Sequence, residues 1–217
     1  MDTVAQRMEN ILNTSTGDDK ATQNLVDSLN NNLEKSSSKS FNTLILIIIT
    51  IIGWLLTHLG YINECEVGGI KMSGKILLLA LPIITALLYY RYQCQMLYSS
   101  LIEDALFKYY EKKHPNIYKN KLELLKMPPT FMNIETVLGI FCGYKKLCKY
   151  LSKTWILLLW GSLVLVPFVY LISVGIHVYF SQNFPLYQKL ILLTIEGLFG
   201  VRGLLVFVQW IELQKRG

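Results

Sequence analysis

Two long stretches of this chain contain no charged residue, and they constrain the fold more than any other feature. Residues 41–63 and 154–183 contain no Asp, Glu, Lys or Arg. Each stretch is longer than the roughly 20 apolar residues that cross a bilayer as a helix. The composition agrees, because 52% of the 217 residues are hydrophobic and only 17% are charged. We therefore expect an integral membrane protein.

Hydropathy along the chain predicts an all-α membrane protein with four transmembrane helices, at residues 43–62, 76–98, 154–180 and 190–213. Because no Pro or Gly interrupts residues 83–114, the second span should continue as one helix beyond the membrane. The spans divide the chain into four regions. They are an N-terminal cytosolic helix or coiled coil (1–40), a transmembrane hairpin (41–98), a basic helical cytosolic insert (99–153), and a second transmembrane hairpin with a short tail (154–217).

The distribution of Lys and Arg predicts the orientation. Residues 1–40 hold four of them, residues 91–153 hold eleven and the tail holds two. The loops that should face the other side hold only Lys71, Lys75 and Lys189. Cytoplasmic loops of membrane proteins are enriched in positive residues. Both termini and the insert are therefore expected in the cytoplasm.

A heptad pattern starts before the first span. Val26, Leu29 and Leu33 follow the steps of three and four that are typical of coiled-coil core positions. The same register continues into the span as Ser36, Ser40, Thr43, Ile47, Thr50, Trp54 and Thr57. A single heptad stretch of this length needs a partner to bury its apolar stripe. The pattern therefore predicts that the chain forms a homo-oligomer, such as a tetramer or pentamer.

Hydroxyl side chains recur every seven residues within this register, at Ser36, Thr43, Thr50 and Thr57. In one interpretation the hydroxyls bond back to their own helix and let neighbouring helices pack closely. In the other, identical first spans surround an axis, and the hydroxyls face a narrow water path with apolar constrictions. The second interpretation gives the candidate pore-lining or gate residues Thr43, Ile47, Thr50, Trp54 and Thr57.

The fourth span contains two charged residues, Glu196 and Arg202. A charge at the centre of a membrane helix costs at least about 2.5 kcal/mol on insertion scales, so each should have a partner or face a water cavity. Six residues apart, they point about 120° away from each other and are poorly placed to pair. They could form an ion pair with a neighbouring helix or subunit, involving His177 for example, or they could serve an ion pathway.

Basic residues are concentrated in the predicted insert. They could anchor it to anionic lipid, or they could form a cytosolic pocket that binds a nucleotide or short oligonucleotide together with nearby aromatic residues. The candidate residues for either role are Lys108, Lys112, Lys113, Lys119, Lys121, Lys145, Lys146 and Lys149.

Motifs for catalysis are weak. The three His residues are far apart in sequence, and neither H-E-x-x-H nor G-x-S-x-G occurs. Residues 69–75 match G-x-x-x-x-G-K, but Ile76 stands where a phosphate-binding loop has Ser or Thr. We expect no enzymatic activity, no cofactor and no metal.

With four predicted spans, an N-terminal coil, a basic insert and no catalytic motif, the chain resembles the membrane effectors of bacterial antiviral systems, including the Hailong-type ion-channel effectors. The resemblance implies a protein of the bacterial inner membrane that oligomerises, responds to a nucleotide or protein signal and alters the membrane potential. The alternative is a non-conducting scaffold or sensor subunit that recruits a cytosolic partner.

Overall fold

The computed structural model describes residues 4–14, 19–67, 69–116, 165–181 and 184–216. Residues 154–164 of the predicted third span and most of the predicted insert lie outside these described residues. The described part contains helices α1 (Val4–Thr14), α2 (Asp19–His58), α3 (Gly74–Lys113), α4 (Leu165–Phe180) and α5 (Leu186–Arg216), and strands β1 (Glu64–Val67) and β2 (Ile70–Ser73). It is mostly helical, as the hydropathy pattern predicts.

Helices α2 and α3 are each long and apolar enough to cross a membrane. Both are continuous, so the heptad stretch and the first predicted span belong to one helix. The second predicted span likewise continues as a single helix to Lys113, which confirms the prediction from the absence of Pro and Gly. The part of α4 that the structure describes, Leu165–Phe180, is apolar as well.

Helix α2 ends at His58, four residues before the predicted end of the first span. Gly60 has a φ of 79°, a left-handed conformation that glycine adopts without a Cβ penalty. The Tyr61 amide donates to the Leu56 carbonyl at 2.9 Å, and the Gly60 amide donates to the Thr57 carbonyl at 3.1 Å. This pair of bonds is the Schellman arrangement that terminates helices.

A β-hairpin joins α2 to α3, where the sequence predicts only an outer loop. Strands β1 and β2 pair antiparallel, with Glu64 opposite Ser73 and Val67 opposite Ile70. Gly69 takes a φ of 83° between the strands, as tight hairpin turns require. The described residues are thus mostly helical, as predicted, and this connection contains a short two-stranded hairpin that the sequence interpretation did not include.

The chain divides into two compact units. Unit 1 comprises Met1–Ser40, Gln95–Leu157 and Trp210–Gly217, and unit 2 comprises Phe41–Cys94 and Leu158–Gln209. Helices α2 and α3 contribute residues to both.

The heptad stripe lies in the core of unit 1. Val26 is 2% exposed and Leu33 is 0% exposed. They belong to one hydrophobic cluster that also contains Met8 of α1 and the α3 residues Ile102, Ala105, Leu106, Tyr109 and Tyr110. The stripe therefore has a partner within its own chain. The prediction of an oligomer assumed that only another copy could bury this stripe. That assumption is wrong, because α3, which is distant in the sequence, packs against the stripe.

Polar contacts in unit 1 show that α2 and α3 run antiparallel there. Near one end, the Tyr109 hydroxyl donates to Gln23 Oε1 at 3.2 Å. Towards the other, the Ser99 hydroxyl donates to Ser36 Oγ at 2.9 Å.

Helix α1 is held to α3 by Lys112, whose Nζ lies 3.1 Å from Glu9 Oε1 and donates to Asn13 Oδ1 at 2.6 Å. The hydrogen bond from the Lys112 ammonium, together with its charge, lowers the pKa of the Glu9 carboxyl below its usual value.

Unit 2 has a second core, and it leaves much apolar surface uncovered. The core cluster contains Trp54, Ala86, Tyr170, Leu171, Val174, Val178, Phe184 and Leu192. Away from this core, α2 exposes the large side chains Ile45, Leu46, Ile48, Ile49, Ile52, Leu55 and Leu56. A soluble surface rarely carries so continuous an apolar patch, whereas a lipid-facing helix does. This exposure agrees with a membrane location for the helix.

Candidate functional site

The hydroxyl line of α2 faces inward in both units. Thr43 and Thr57 are buried, at 3% and 6% exposure. Thr50 donates to the Ile47 carbonyl at 2.8 Å, and Thr57 donates to the Gly53 carbonyl at 2.8 Å. These bonds to the preceding turn are the usual way in which a membrane helix satisfies a hydroxyl.

In unit 2 the hydroxyl line also contacts α3. The Thr85 hydroxyl donates to Thr50 Oγ1 at 2.9 Å. The Trp54 indole donates to the Leu78 carbonyl at 3.2 Å, and Ile47 is 1% exposed. The contacts follow the packing interpretation of this line. In a pore formed between copies, this face of α2 would have to leave α3 in order to line the water path. The pore role of Thr43, Ile47, Thr50, Trp54 and Thr57 therefore stays a prediction.

Glu196 is buried although it is a carboxylate in an apolar helix. It is 6% exposed, and its Oε1 has no hydrogen-bond partner among the described residues. It lies against α4, because a Cβ on Gly175 would be 3.1 Å from Glu196 Oε2. The missing side chain at Gly175 therefore makes room for the carboxylate.

Arg202 is exposed, on a different face of α5 from Glu196. In the described part of the chain neither residue forms an ion pair. The structure thus separates Glu196 and Arg202 on α5, as their spacing predicts. The ion pair with another helix, which the sequence left open, is not formed by the described residues.

Three further polar side chains of unit 2 are buried with an atom that lacks a partner among the described residues. These atoms are the Tyr89 hydroxyl, Gln93 Nε2 and the Tyr170 hydroxyl. Tyr170 lies close enough to Glu196 for the two to interact electrostatically. Gln93 lies close to Tyr89, and Thr85 lies close to Tyr170, so these side chains have polar neighbours although the named atoms form no hydrogen bond of acceptable geometry. We refer to Tyr89, Gln93, Tyr170 and Glu196 as the unpaired polar set.

An aromatic and histidine cluster lies in the same unit. The Trp54 and His58 rings are stacked with centroids 5.0 Å apart, and the His58 and His177 centroids are 4.5 Å apart. Tyr170 meets the Trp54 ring edge-on at 5.6 Å. The wide sequence separation of His58 and His177 concealed this contact, and the only sequence signal was their location near the ends of predicted spans. The described residues contain no group of three or more side chains suited to hold a metal.

Only some of the candidate basic residues belong to the part of the chain that the structure describes. Lys119, Lys121, Lys145, Lys146 and Lys149 lie outside the described residues. Lys108 Nζ is 2.8 Å from Glu111 Oε2, and Lys112 contacts α1 as described above. Lys108 and Lys112 are therefore engaged within the chain, and the predicted role of the basic residues in binding a ligand or anionic lipid stays a prediction.

Comparisons with models of protein families, with curated proteins and with solved structures find no match to this chain.

Proposed function

We propose that the protein is a homo-oligomeric ion channel or pore-forming effector of the bacterial inner membrane, and that water and ions pass close to the unpaired polar set. The observation that carries this proposal is the buried Glu196 carboxylate, whose Oε1 has no partner among the described residues. Ionisable groups inside membranes are costly and usually mark an ion or proton pathway. Water inside a bundle of membrane helices is tolerated where it fills a cavity between the helices.

The proposal differs in one respect from a pore lined by α2 alone. The Thr50 hydroxyl already accepts a hydrogen bond from Thr85 within the chain, whereas Glu196 Oε1 of the unpaired polar set has no hydrogen-bond partner among the described residues. We place the path near α3, α4 and α5 of each subunit. The gating signal, a nucleotide or protein that acts on the cytosolic region, and the antiviral setting are parts of the same proposal.

Ion flux from proteoliposomes tests the channel directly. The wild type should release trapped cations, and Glu196→Gln should reduce the flux at least about tenfold, because it removes the ionisable group while keeping the shape. Glu66→Gln, which changes an exposed carboxylate of β1, should leave the flux unchanged. Absence of flux from the wild type with every nucleotide or protein signal tried would exclude the channel, whereas equal flux from both variants would exclude an ion path at Glu196.

The proposed topology has four spans, at 43–62, 76–98, 154–180 and 190–213, and places both termini in the cytoplasm. Cys65 is free and exposed in β1, in the loop assigned to the outer side. In spheroplasts, a variant that keeps only this cysteine should react with a membrane-impermeant maleimide. A cysteine placed at Lys20, exposed at the start of α2, should react only after the membrane is permeabilised. The reverse pattern would show that the orientation is inverted.

A non-conducting scaffold or sensor subunit is the second candidate, and the compact packing of unit 1 favours it. Helices α1, α2 and α3 share one core there, as a recognition module would need. This candidate predicts capture of a cytosolic partner with no ion flux, so the liposome measurement separates the two.

A further inference from the structure

Unit 1 contains a cleft that the proposed ion path does not use. It has a volume of about 290 Å³ and lies along α2 and α3. Its lining is polar and aromatic, and consists of Gln23, Val26, Asp27, Asn30, Tyr109, Tyr110 and His114. A concave site with a few convergent polar groups is the usual form of a small-molecule site.

Two side chains on α2 offer hydrogen-bond acceptors to a ligand in this cleft. Asn30 Oδ1 is buried and has no partner among the described residues. Asp27 lies one turn earlier on the same helix, and its Oδ1 accepts one bond, from Gln23 Nε2 at 3.0 Å. An ionised carboxylate can accept about four hydrogen bonds, so Asp27 has capacity to spare. A ligand that uses these two oxygens donates hydrogen bonds to them.

Aromatic rings provide the other wall of the cleft. The Tyr109 and Tyr110 rings meet edge to face with centroids 5.3 Å apart, and the His114 ring lies 5.7 Å from Tyr109. The faces of such rings carry partial negative charge and attract cations. Among the described residues that line the cleft there is no Lys or Arg. The chemistry is thus the opposite of the anion pocket predicted from the basic insert.

We propose that this cleft binds a small organic cation through an ammonium or guanidinium group. Its N–H groups donate to the Asp27 carboxylate and to Asn30 Oδ1. Its positive charge lies against the rings of Tyr109 and Tyr110. The site stands independently of the ion path, because all of its residues belong to unit 1.

Calorimetric titration of the full-length protein in detergent tests the ligand class with four probes that share a butyl chain. Butylammonium and butylguanidinium should bind. Butyltrimethylammonium, which has the charge but no N–H donor, should bind at least about tenfold more weakly, since charge-assisted hydrogen bonds are among the strongest single polar contacts. The neutral 1-butanol should not bind. Binding of 1-butanol as tight as that of butylammonium would overturn the proposal.

Two variants and one control variant locate the site. Asp27→Asn should weaken butylammonium binding at least about tenfold, whereas Glu34→Gln, an exposed acid two turns further along α2, should bind as the wild type does. Asn30→Asp adds a second carboxylate and should tighten binding about threefold or more, a gain that misfolding cannot produce. Unchanged binding by Asp27→Asn, or no tightening by Asn30→Asp, would overturn the assignment whether or not the protein conducts ions.

Discussion

At the scale of single residues, glycines decide how closely the helices of unit 2 approach one another. A Cβ on Gly203 of α5 would lie 2.6 Å from Cε1 of Tyr89, which is 0% exposed. Real Cβ atoms do not approach a carbon so closely, and the enclosed ring has no space in which to move. On the same helix, a Cβ on Gly197 would meet nothing within 4 Å. These two glycines of the EGLFGVRG sequence therefore differ, because Gly203 allows close contact with Tyr89 and a Cβ on Gly197 would have no neighbour within 4 Å.

These two glycines form a matched pair for mutation. Gly203→Ala should destabilise the protein by about 1–3 kcal/mol, because α5 must move away from the Tyr89 ring. Gly197→Ala should leave stability unchanged or raise it by up to about 1 kcal/mol, because alanine favours the helix. Thermal unfolding in detergent, followed by intrinsic fluorescence, measures both. Equal changes in Tm for the two variants would contradict the close contact at Gly203.

Asp104 makes the stability of unit 1 depend on pH. Burial raises the pKa of its carboxyl from 3.8 to about 6. The folded state therefore holds the proton more tightly than the unfolded state, so the stabilising contribution is complete below about pH 4 and is lost as the pH rises through about 6. Above that pH, an ionised carboxylate must be kept partly away from water.

Removing this charge should stabilise the protein at neutral pH. Between pH 4 and pH 7.5, the wild type should lose about 1–2 kcal/mol relative to Asp104→Asn, a figure reduced for the partial solvent access of the carboxyl. Apparent Tm values measured across this range for both proteins check the prediction, and the exposed Glu34→Gln serves as the control. Parallel Tm curves for the wild type and Asp104→Asn would show that Asp104 is not responsible.

At the scale of elements, α2 is one helix with two different surroundings. In unit 1 its heptad positions pack with α3 around Leu33 and Leu106. In unit 2 the continuing register carries Thr50 and Trp54, which also contact α3. The periodicity correctly identified the buried face of the helix. It did not identify the partner, because a heptad shows which side is covered and not which helix covers it.

This pairing can be tested at Leu33, which is 0% exposed. Leu33→Ala should cost about 2–5 kcal/mol by leaving a cavity between α2 and α3, while Leu25→Ala, at a position 37% exposed on the same helix, should cost much less. Native mass spectrometry should show the same number of subunits for the wild type and both variants. Dissociation of an oligomer by Leu33→Ala would instead place the stripe between copies.

At the scale of the whole molecule, the sequence determined that the chain forms long apolar helices and which faces of them are buried. Charge-free stretches longer than a bilayer's thickness, and the absence of Pro and Gly from residues 83–114, predict long apolar helices whatever the packing. Spacing alone also separates Glu196 from Arg202, since six residues turn a helix by about 120° from its starting direction.

Only the tertiary structure decided which residues meet across large separations in sequence. In the folded chain the ring of His58 contacts that of His177, and Thr85 donates a hydrogen bond to Thr50. Glu196 lies against Gly175, and α3 covers the heptad stripe. Periodicity is a property of one helix and is set by local backbone geometry. Contacts between helices depend on the shapes and small residues of both surfaces, and no single segment of the sequence contains that information.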